Sequence, residues 1–131
     1  MTLAYFEQRS TVDYIGVVQG VPVCFDAKEC AKDTFPLQNV HEHQILFMQD
    51  FEAQGGVAFL LIHFTSESKF MYLPFEKLAD FWNRAKLGHE KSFKLNELDD
   101  SYEISCQGYY LNYLEGIQKD LLNRDEDGQE I

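Results

Sequence analysis

The sequence lacks the features that mark secreted, membrane-spanning and disulfide-stabilised proteins. Its three cysteines, Cys24, Cys30 and Cys106, are an odd set without the close spacing of a zinc-binding pair. No secretory leader is recognisable. The longest apolar run, Val57 to Phe64, has the length of a strand and not of a bilayer-spanning helix. We therefore expect a reduced, cytoplasmic protein that does not enter a membrane.

Positive charge is also scarce. Eleven Lys and Arg face 22 Asp and Glu, which gives a formal net charge of −11. Because phosphate contacts are made by cations, this balance excludes a generally adhesive nucleic-acid binder, and any DNA contact must come from a local patch. The nearest approach to such a patch is Lys86, Lys91 and Lys94, although lysines in a polar connector are more often only solvated.

Several catalytic motifs are missing as well. There is no P-loop, no glycine-rich dinucleotide fingerprint and no HExxH. His41 and His43 are two residues apart, a spacing that does not bring side chains together on a helix, so we do not expect them to chelate one ion. Cys30 could act as a nucleophile only beside a general base, and the sequence indicates none, so a structural thiol is the better interpretation.

Aromatic residues are abundant, with 11 Phe, 7 Tyr and one Trp among 131 residues, enough for one well-packed domain. The order of predicted elements is ββαββα with an added C-terminal piece, which predicts an α/β (α+β) fold with a mixed sheet flanked by helices. We expect one domain over residues 1–124 and a solvated acidic tail over residues 125–131. The first predicted elements are a hairpin over 10–29, a helix over 40–54 capped by Asn39 and Glu42, and strands over 57–64 and 70–73. They are followed by a helix from Pro74 to Gly88, an edge strand over 102–106 and a last helix after Gly108. The apolar stripe of the last helix is formed by Leu111, Leu114, Ile117, Leu121 and Leu122.

The hairpin is the most informative stretch. Two runs rich in β-branched residues flank Gln19-Gly20, so a two-residue turn would set Val18 opposite Val21. In that register, Thr11, Asp13, Asp26 and Lys28 share one face. The other face is expected to be apolar and to join the core: Val12, Tyr14, Val18, Val21, Val23, Phe25 and Ala27.

Two interpretations of the charged face remain open. Carboxylates across a ladder repel, and a hard divalent cation with oxygen ligands would favour such a pair, with the lysine stabilising developing negative charge. Many antiparallel hairpins, however, simply have one solvated polar face. Spacing alone slightly favours the solvated face over a metal site.

Further motifs carry a resemblance to a known family. They are Ala4-Tyr5-Phe6, Ser10-Thr11-Val12-Asp13-Tyr14, Phe25-Asp26-Ala27-Lys28-Glu29, Phe35-Pro36-Leu37-Gln38-Asn39, His41-Glu42-His43-Gln44, Phe81-Trp82 and Tyr102-Glu103-Ile104. Together they span nearly the whole chain. The sequence resembles the RecU family of Holliday junction resolvases, which belongs to the PD-(D/E)xK nuclease class with its restriction-endonuclease-like fold.

The resemblance implies a Mg²⁺- or Mn²⁺-dependent endonuclease that acts as a homodimer on four-way DNA junctions in recombination and repair. It implies metal-site positions for Thr11, Asp13, Asp26 and Gln44, with Gln44 acting through water. It implies catalytic roles for Asp13, Asp26 and Lys28, the lysine stabilising the transition state. Asp26 stands where the family usually has Glu.

The same resemblance leads to an expectation about the N-terminus. Family members carry a long segment before the Ala-Tyr-Phe motif, including a basic arm and part of a stalk, and we expect this chain to lack it. Two alternatives to an active nuclease follow: a weak or silent nuclease-fold protein that binds DNA or a recombination partner, and a plain interaction domain.

Overall fold

The computed structural model describes residues 12–107, 110–111 and 113–129. Its centre is a mixed five-stranded sheet with the order β1-β2-β4-β5-β7. The strands of this sheet are β1 (Tyr14–Val18), β2 (Val21–Cys30), β4 (Val57–Phe64), β5 (Lys69–Pro74) and β7 (Glu103–Ile104). β2 and β4 pair in parallel, and the other neighbours pair antiparallel. The prediction of a mixed sheet flanked by helices is confirmed.

Three α-helices, two small ribbons and three 3-10 turns (Leu37–Asn39, Leu95–Glu97 and Asp100–Tyr102) complete the described architecture. The helices are α1 (Glu42–Ala53), α2 (Phe75–Lys86) and α3 (Tyr113–Gln129). Strands β3 (Thr34–Pro36) and β6 (Ser92–Lys94) pair with each other, as do β8 (Cys106–Gln107) and β9 (Tyr110–Leu111). No helix within the described residues is long and apolar enough to cross a bilayer.

Both faces of the sheet are covered, because side chains alternate along each strand. Cys24, Leu60 and Ile62 pack on the face that also receives Met48 of α1 and Leu78 of α2. The opposite face includes Val23, Phe25, Phe59, Tyr72 and Ile117, the last from α3. Every residue of β4 is buried except His63, which confirms that Val57–Phe64 is a central strand covered on both sides.

The hairpin turn has the predicted register, with Val18 opposite Val21 and Tyr14 opposite Phe25. Gln19 and Gly20 both have positive φ, 51° and 83°, as a two-residue hairpin turn of type I′ requires. The predicted apolar face is wrong at its outer end. Tyr14 is 53% exposed on the edge strand β1, although its ring stacks on that of Phe25 with centroids 4.6 Å apart.

The predicted apolar face of the hairpin is also wrong at Val12. It is buried against the cluster that contains Cys24 and Cys30, on the face opposite Phe25, although alternation would place Val12 with Phe25. The chain bends at Val12 and Asp13 before β1 begins, so strand alternation does not extend to these residues.

Other boundaries differ in small ways. Helix α1 begins at Glu42 after the N-cap residue His41, two residues later than the predicted Asn39 cap, because a 3-10 turn occupies Leu37–Asn39. Leu111 lies in β9 and not in the last helix. Leu122 is 64% exposed and does not belong to the buried stripe. Helix α3 continues through Gln129, into the region where a solvated tail was predicted.

A polar network that no sequence pattern predicts holds α3 on the sheet. The Tyr72 hydroxyl donates to Asp120 at 2.6 Å, and Arg124 pairs with Asp120 at 2.8 Å and with Glu52 of α1 at 2.7 Å. Glu52 also accepts the backbone N–H of Ala58 at 2.8 Å. Burial opposes the charge of Arg124, but its hydrogen bonds with Glu52 and Asp120 outweigh that effect and raise its pKa. The network therefore joins α1, β4, β5 and α3.

Gly116 allows α3 to approach Tyr72, and replacing it should separate them. A Cβ at this position would lie 2.5 Å from Tyr72 Cδ2 and 3.1 Å from Ile104 Cδ1. Overpacking of this kind costs about 1–3 kcal/mol, and the better helix propensity of alanine returns only about 1 kcal/mol. We expect Gly116→Ala to lower the free energy of unfolding in urea. Gly16→Ala, where a Cβ meets nothing within 4 Å, is the matched control, and equal stability of both variants would contradict this packing.

Candidate active site

Asp26 is the centre of the candidate site. It lies in the middle of β2, where its backbone is opposite Leu60 of β4 in the parallel pair. Its side chain points to the face covered by α1 and α2, and only 2% of the residue is exposed. A carboxylate is rarely so deeply buried unless charge and hydrogen bonds compensate for lost water. Its partners therefore determine what the site can do.

Lys28 supplies the compensating charge. It is two residues further along β2, so both side chains leave the strand on one face. Lys28 Nζ lies 2.7 Å from Asp26 Oδ2, and the lysine side chain is 17% exposed while that of Asp26 is 3% exposed. The ion pair thus has a buried anionic end and a cationic end that water can reach.

Gln44 of α1 holds both members of this pair. Its Nε2 donates to Asp26 Oδ2 at 3.0 Å, and its Oε1 accepts from Lys28 Nζ at 3.3 Å. The same Oε1 accepts the backbone N–H of His41 at 3.1 Å, which fixes the amide in this orientation. The helix N-terminus is consequently connected to the centre of the sheet through one buried side chain.

Asp13 closes the site from the hairpin side. Its backbone N–H donates to Asp26 Oδ1 at 2.7 Å, and its own Oδ2 lies 3.4 Å from the backbone N of Ala27. The regular ladder ends at Tyr14 and Phe25, so Asp13 and Asp26 are adjacent without forming the predicted ladder pair. Asp13 is exposed, in contrast to Asp26. Thr11 lies outside the described residues.

The donor atoms of this site suit a hard divalent cation. Carboxylate oxygens are ligands that Mg²⁺ prefers, and Mg²⁺ is commonly held by one or two carboxylates with several waters retained. The Gln44 oxygen already accepts from Lys28 Nζ and from the His41 N–H. Within residues 12–107, 110–111 and 113–129, no group of three or more His, Cys, Asp or Glu could hold a metal. A cation here would therefore depend on the two carboxylates of Asp13 and Asp26.

The cysteines do not offer a competing chemistry. Burial, together with the negative charges of Glu52 and Asp26, raises the pKa of Cys24 to about 12. Cys24 is therefore a neutral thiol at physiological pH, unsuited to nucleophilic attack. Cys30 is buried, and its Sγ donates to the carbonyl oxygens of Lys32 and Thr34 at 3.1 Å each, as a structural thiol would.

The two histidines at the start of α1 lie closer together than their spacing suggested. The rings of His41 and His43 stack with centroids 5.4 Å apart and an angle of 4° between planes. They meet because His41 is an extended N-cap residue and not a helical one. Ring nitrogens bind metals within the ring plane, so parallel rings do not converge on one ion.

Sequence reasoning missed the role of His41 in holding Gln44. The signal was present, because His41 and Gln44 have the N-cap to N3 spacing of a capping box, with histidine in place of the usual serine or threonine. Asn39 and Glu42 have the same spacing, and the sequence analysis therefore assigned the capping box to them and not to His41 and Gln44.

Breaking the ion pair should reveal its energetic importance. Lys28→Met leaves the buried Asp26 carboxylate without its cation, which costs about 3–5 kcal/mol in a fully buried pair and somewhat less here because Lys28 reaches water. Asp26→Asn combined with Lys28→Met removes both charges and should be more stable than Lys28→Met alone. Urea unfolding of the wild type, both single variants and the double variant measures this. A double variant no more stable than Lys28→Met would contradict the pairing.

Comparison with known proteins connects this geometry to a family. The family model described as "Recombination protein U" (RecU) matches residues 1–119. Proteins named Holliday junction resolvase RecU from Staphylococcus carnosus (strain TM300) and Staphylococcus aureus (strain JH9) are 40% and 39% identical to this chain over 127 residues. These alignments cover 95% of this chain and 61% of each relative, so the chain spans about three fifths of their length. With most of its residues matched by the family model, this chain belongs to the RecU family.

Proposed function

We propose that this chain is a divalent-metal-dependent endonuclease that hydrolyses phosphodiester bonds of branched DNA. The observation that carries the proposal is the buried Asp26 carboxylate, held by Lys28 and Gln44 and adjacent to the exposed Asp13. The name of the relatives, Holliday junction resolvase, supports a four-way junction as the substrate. The net charge of −11 opposes DNA binding over the whole surface, so the phosphate contacts of this proposal must come from a local patch of cations.

The oxygen donors of Asp13 and Asp26 would hold the cation, with Gln44 and Thr11 contributing as the family resemblance implies. A divalent cation supplies Lewis acidity toward the phosphate and makes water a stronger nucleophile. Asp13 is the member of the site that substrate reaches first, since it is exposed while Asp26 is not. Asp26 would hold the cation from its buried position in β2 of the sheet.

Lys28 would stabilise the negative charge that develops on the phosphate. The lysine side chain is 17% exposed, so a phosphate oxygen could approach the ammonium group while it stays paired with Asp26. Gln44 limits the freedom of the lysine through the 3.3 Å hydrogen bond to Nζ. A donor already oriented in this way needs little rearrangement during reaction, which is how charge stabilisation becomes effective in catalysis.

A homodimer would explain how two strands of a junction are cut together. One site of this kind hydrolyses one strand, and two-fold symmetry would set a second, identical site against another strand. We therefore include a second copy of the chain in the proposal, together with Mg²⁺ or Mn²⁺ as the cofactor.

Junction cleavage with Mg²⁺ and Mn²⁺ tests the proposal. Asp13→Asn and Lys28→Ala should each lower the rate by about 10²–10³-fold, the usual effect of losing one charge-stabilising group. Asp26→Glu, which introduces the residue usual in the family, should retain cleavage. Circular dichroism must show that each variant is folded at the assay temperature.

The matched controls are Asp50→Asn and Lys119→Ala, which make the same charge changes away from the site. Both should cleave as the wild type does. Full activity in Asp13→Asn and Lys28→Ala would overturn the assignment. Binding of branched DNA by the wild type with no cleavage in either metal would show a silent nuclease-fold binder instead.

A further inference from the structure

A groove beside the candidate site has no role in the proposed reaction. Its volume is about 410 Å³, and its lining is mostly apolar: Pro36, Leu37, Gln38, Trp82, Ala85, Lys86 and Lys91. The wall is fixed, because Leu37 N–H donates to the Lys91 carbonyl at 3.0 Å and β3 pairs with β6 alongside. The groove is therefore built into the fold and does not depend on a loose loop.

The rim of the groove is cationic in an otherwise acidic protein. Lys86 and Lys91 are both exposed. Lys86 has only a long contact of 3.9 Å with the exposed Glu42, and Lys91 has no ion pair among the described residues. Two cations that protein carboxylates barely neutralise favour an anionic partner.

Trp82 gives the groove an aromatic wall. It is the single tryptophan of the chain and is half-buried. Its indole Nε1 is buried and hydrogen-bonds no described residue. Buried donors usually have an acceptor, and one without it requires an explanation such as water or a ligand. The buried Nε1 is closed to an incoming group, so the face of the ring is the part of Trp82 that a flat group could contact.

The position of the groove connects it to the reaction. Gln38 of the wall is three residues before His41, whose N–H binds the Gln44 oxygen that also accepts from Lys28. Lys86 contacts Glu42, the first residue of α1. The N-terminus of α1 is thus shared by the groove and the candidate site.

We propose that this groove receives an unstacked nucleotide of the DNA strand beside the cut, with its base against Trp82 and its phosphates at Lys86 and Lys91. This inference rests on the proposed nuclease function. Branch points expose bases that a continuous duplex keeps stacked, and base stacking on an aromatic ring together with lysine contacts to phosphate is the usual means of holding single strands. The groove would then distinguish a branched substrate from a linear one.

Fluorescence of Trp82 tests the proposal on the wild-type chain. A four-way junction is added in EDTA, where strands are not cut, and a linear duplex of the same arm sequence is added in parallel. The junction should quench the emission and the duplex should leave it nearly unchanged. Trp82→Leu should weaken junction binding about 5- to 150-fold, the range expected for loss of one stacked base.

The charge variants give an independent measurement. Lys91→Ala should reduce the slope of log affinity against log salt concentration by about 0.7, the value for one lost phosphate contact on a single strand. Glu42→Gln should tighten binding because it releases Lys86. Lys119→Ala, which removes a lysine of α3 on the opposite side of the sheet, should behave as the wild type.

Parallel cleavage assays with Mg²⁺ separate the outcomes. Cleavage of the junction with unchanged Trp82 emission, and with Lys91→Ala equal to Lys119→Ala, overturns the groove proposal and leaves the nuclease proposal intact. Absence of both binding and cleavage overturns both. Quenching by an acidic aromatic peptide but not by the junction assigns the groove to a protein partner and also overturns the proposal.

Discussion

The burial of one carboxylate, Asp26, is the constraint on which the rest of the site depends. Taking a charged carboxylate out of water is costly, and the cost is met only if several donors converge on it. Here they arrive from three different elements. Lys28 comes from the same strand, Gln44 from α1, and the backbone N–H of Asp13 from the segment that leads into β1. The hairpin, the central strand and the helix therefore have to assemble together for Asp26 to be stable, which links the integrity of the fold to the assembly of the candidate site.

The sheet explains why these donors can meet. Parallel pairing with β4 places β2 inside the sheet, so one face of β2 is covered by α1 and α2 and the other by the cluster that includes α3. Asp26 and Lys28 lie on the first face, where the Lys28 side chain is 17% exposed and that of Asp26 is 3% exposed. On the second face, the contacts among Tyr72, Asp120, Arg124 and Glu52 hold α3 against the same sheet.

Much of this could be predicted from sequence because local signals determine it. Gln19-Gly20 set the register of the hairpin, the apolar run Val57–Phe64 marked the central strand, and Pro74 and Gly88 bounded α2. What failed depends on tertiary contacts. The bend at Val12 and Asp13 breaks strand alternation, and the ladder ends one pair before Asp13. Asp13 and Asp26 therefore do not form a ladder pair, and the Asp26 side chain accepts the backbone N–H of Asp13. The Tyr72–Asp120 contact joins residues 48 positions apart in sequence, and no local sequence pattern predicts such a contact.

The most direct test of the central claim, that Asp26 and Asp13 form a metal-dependent site, is a Mn²⁺ titration followed by amide NMR. A paramagnetic ion broadens resonances of nuclei close to it, so the affected amides locate the ion without reference to activity. We expect the amides of Asp13, Asp26 and Ala27 and the side-chain amide of Gln44 to broaden first, and this broadening to be lost in Asp13→Asn. Broadening confined to other acidic segments, or the same pattern in Asp13→Asn, would contradict the claim.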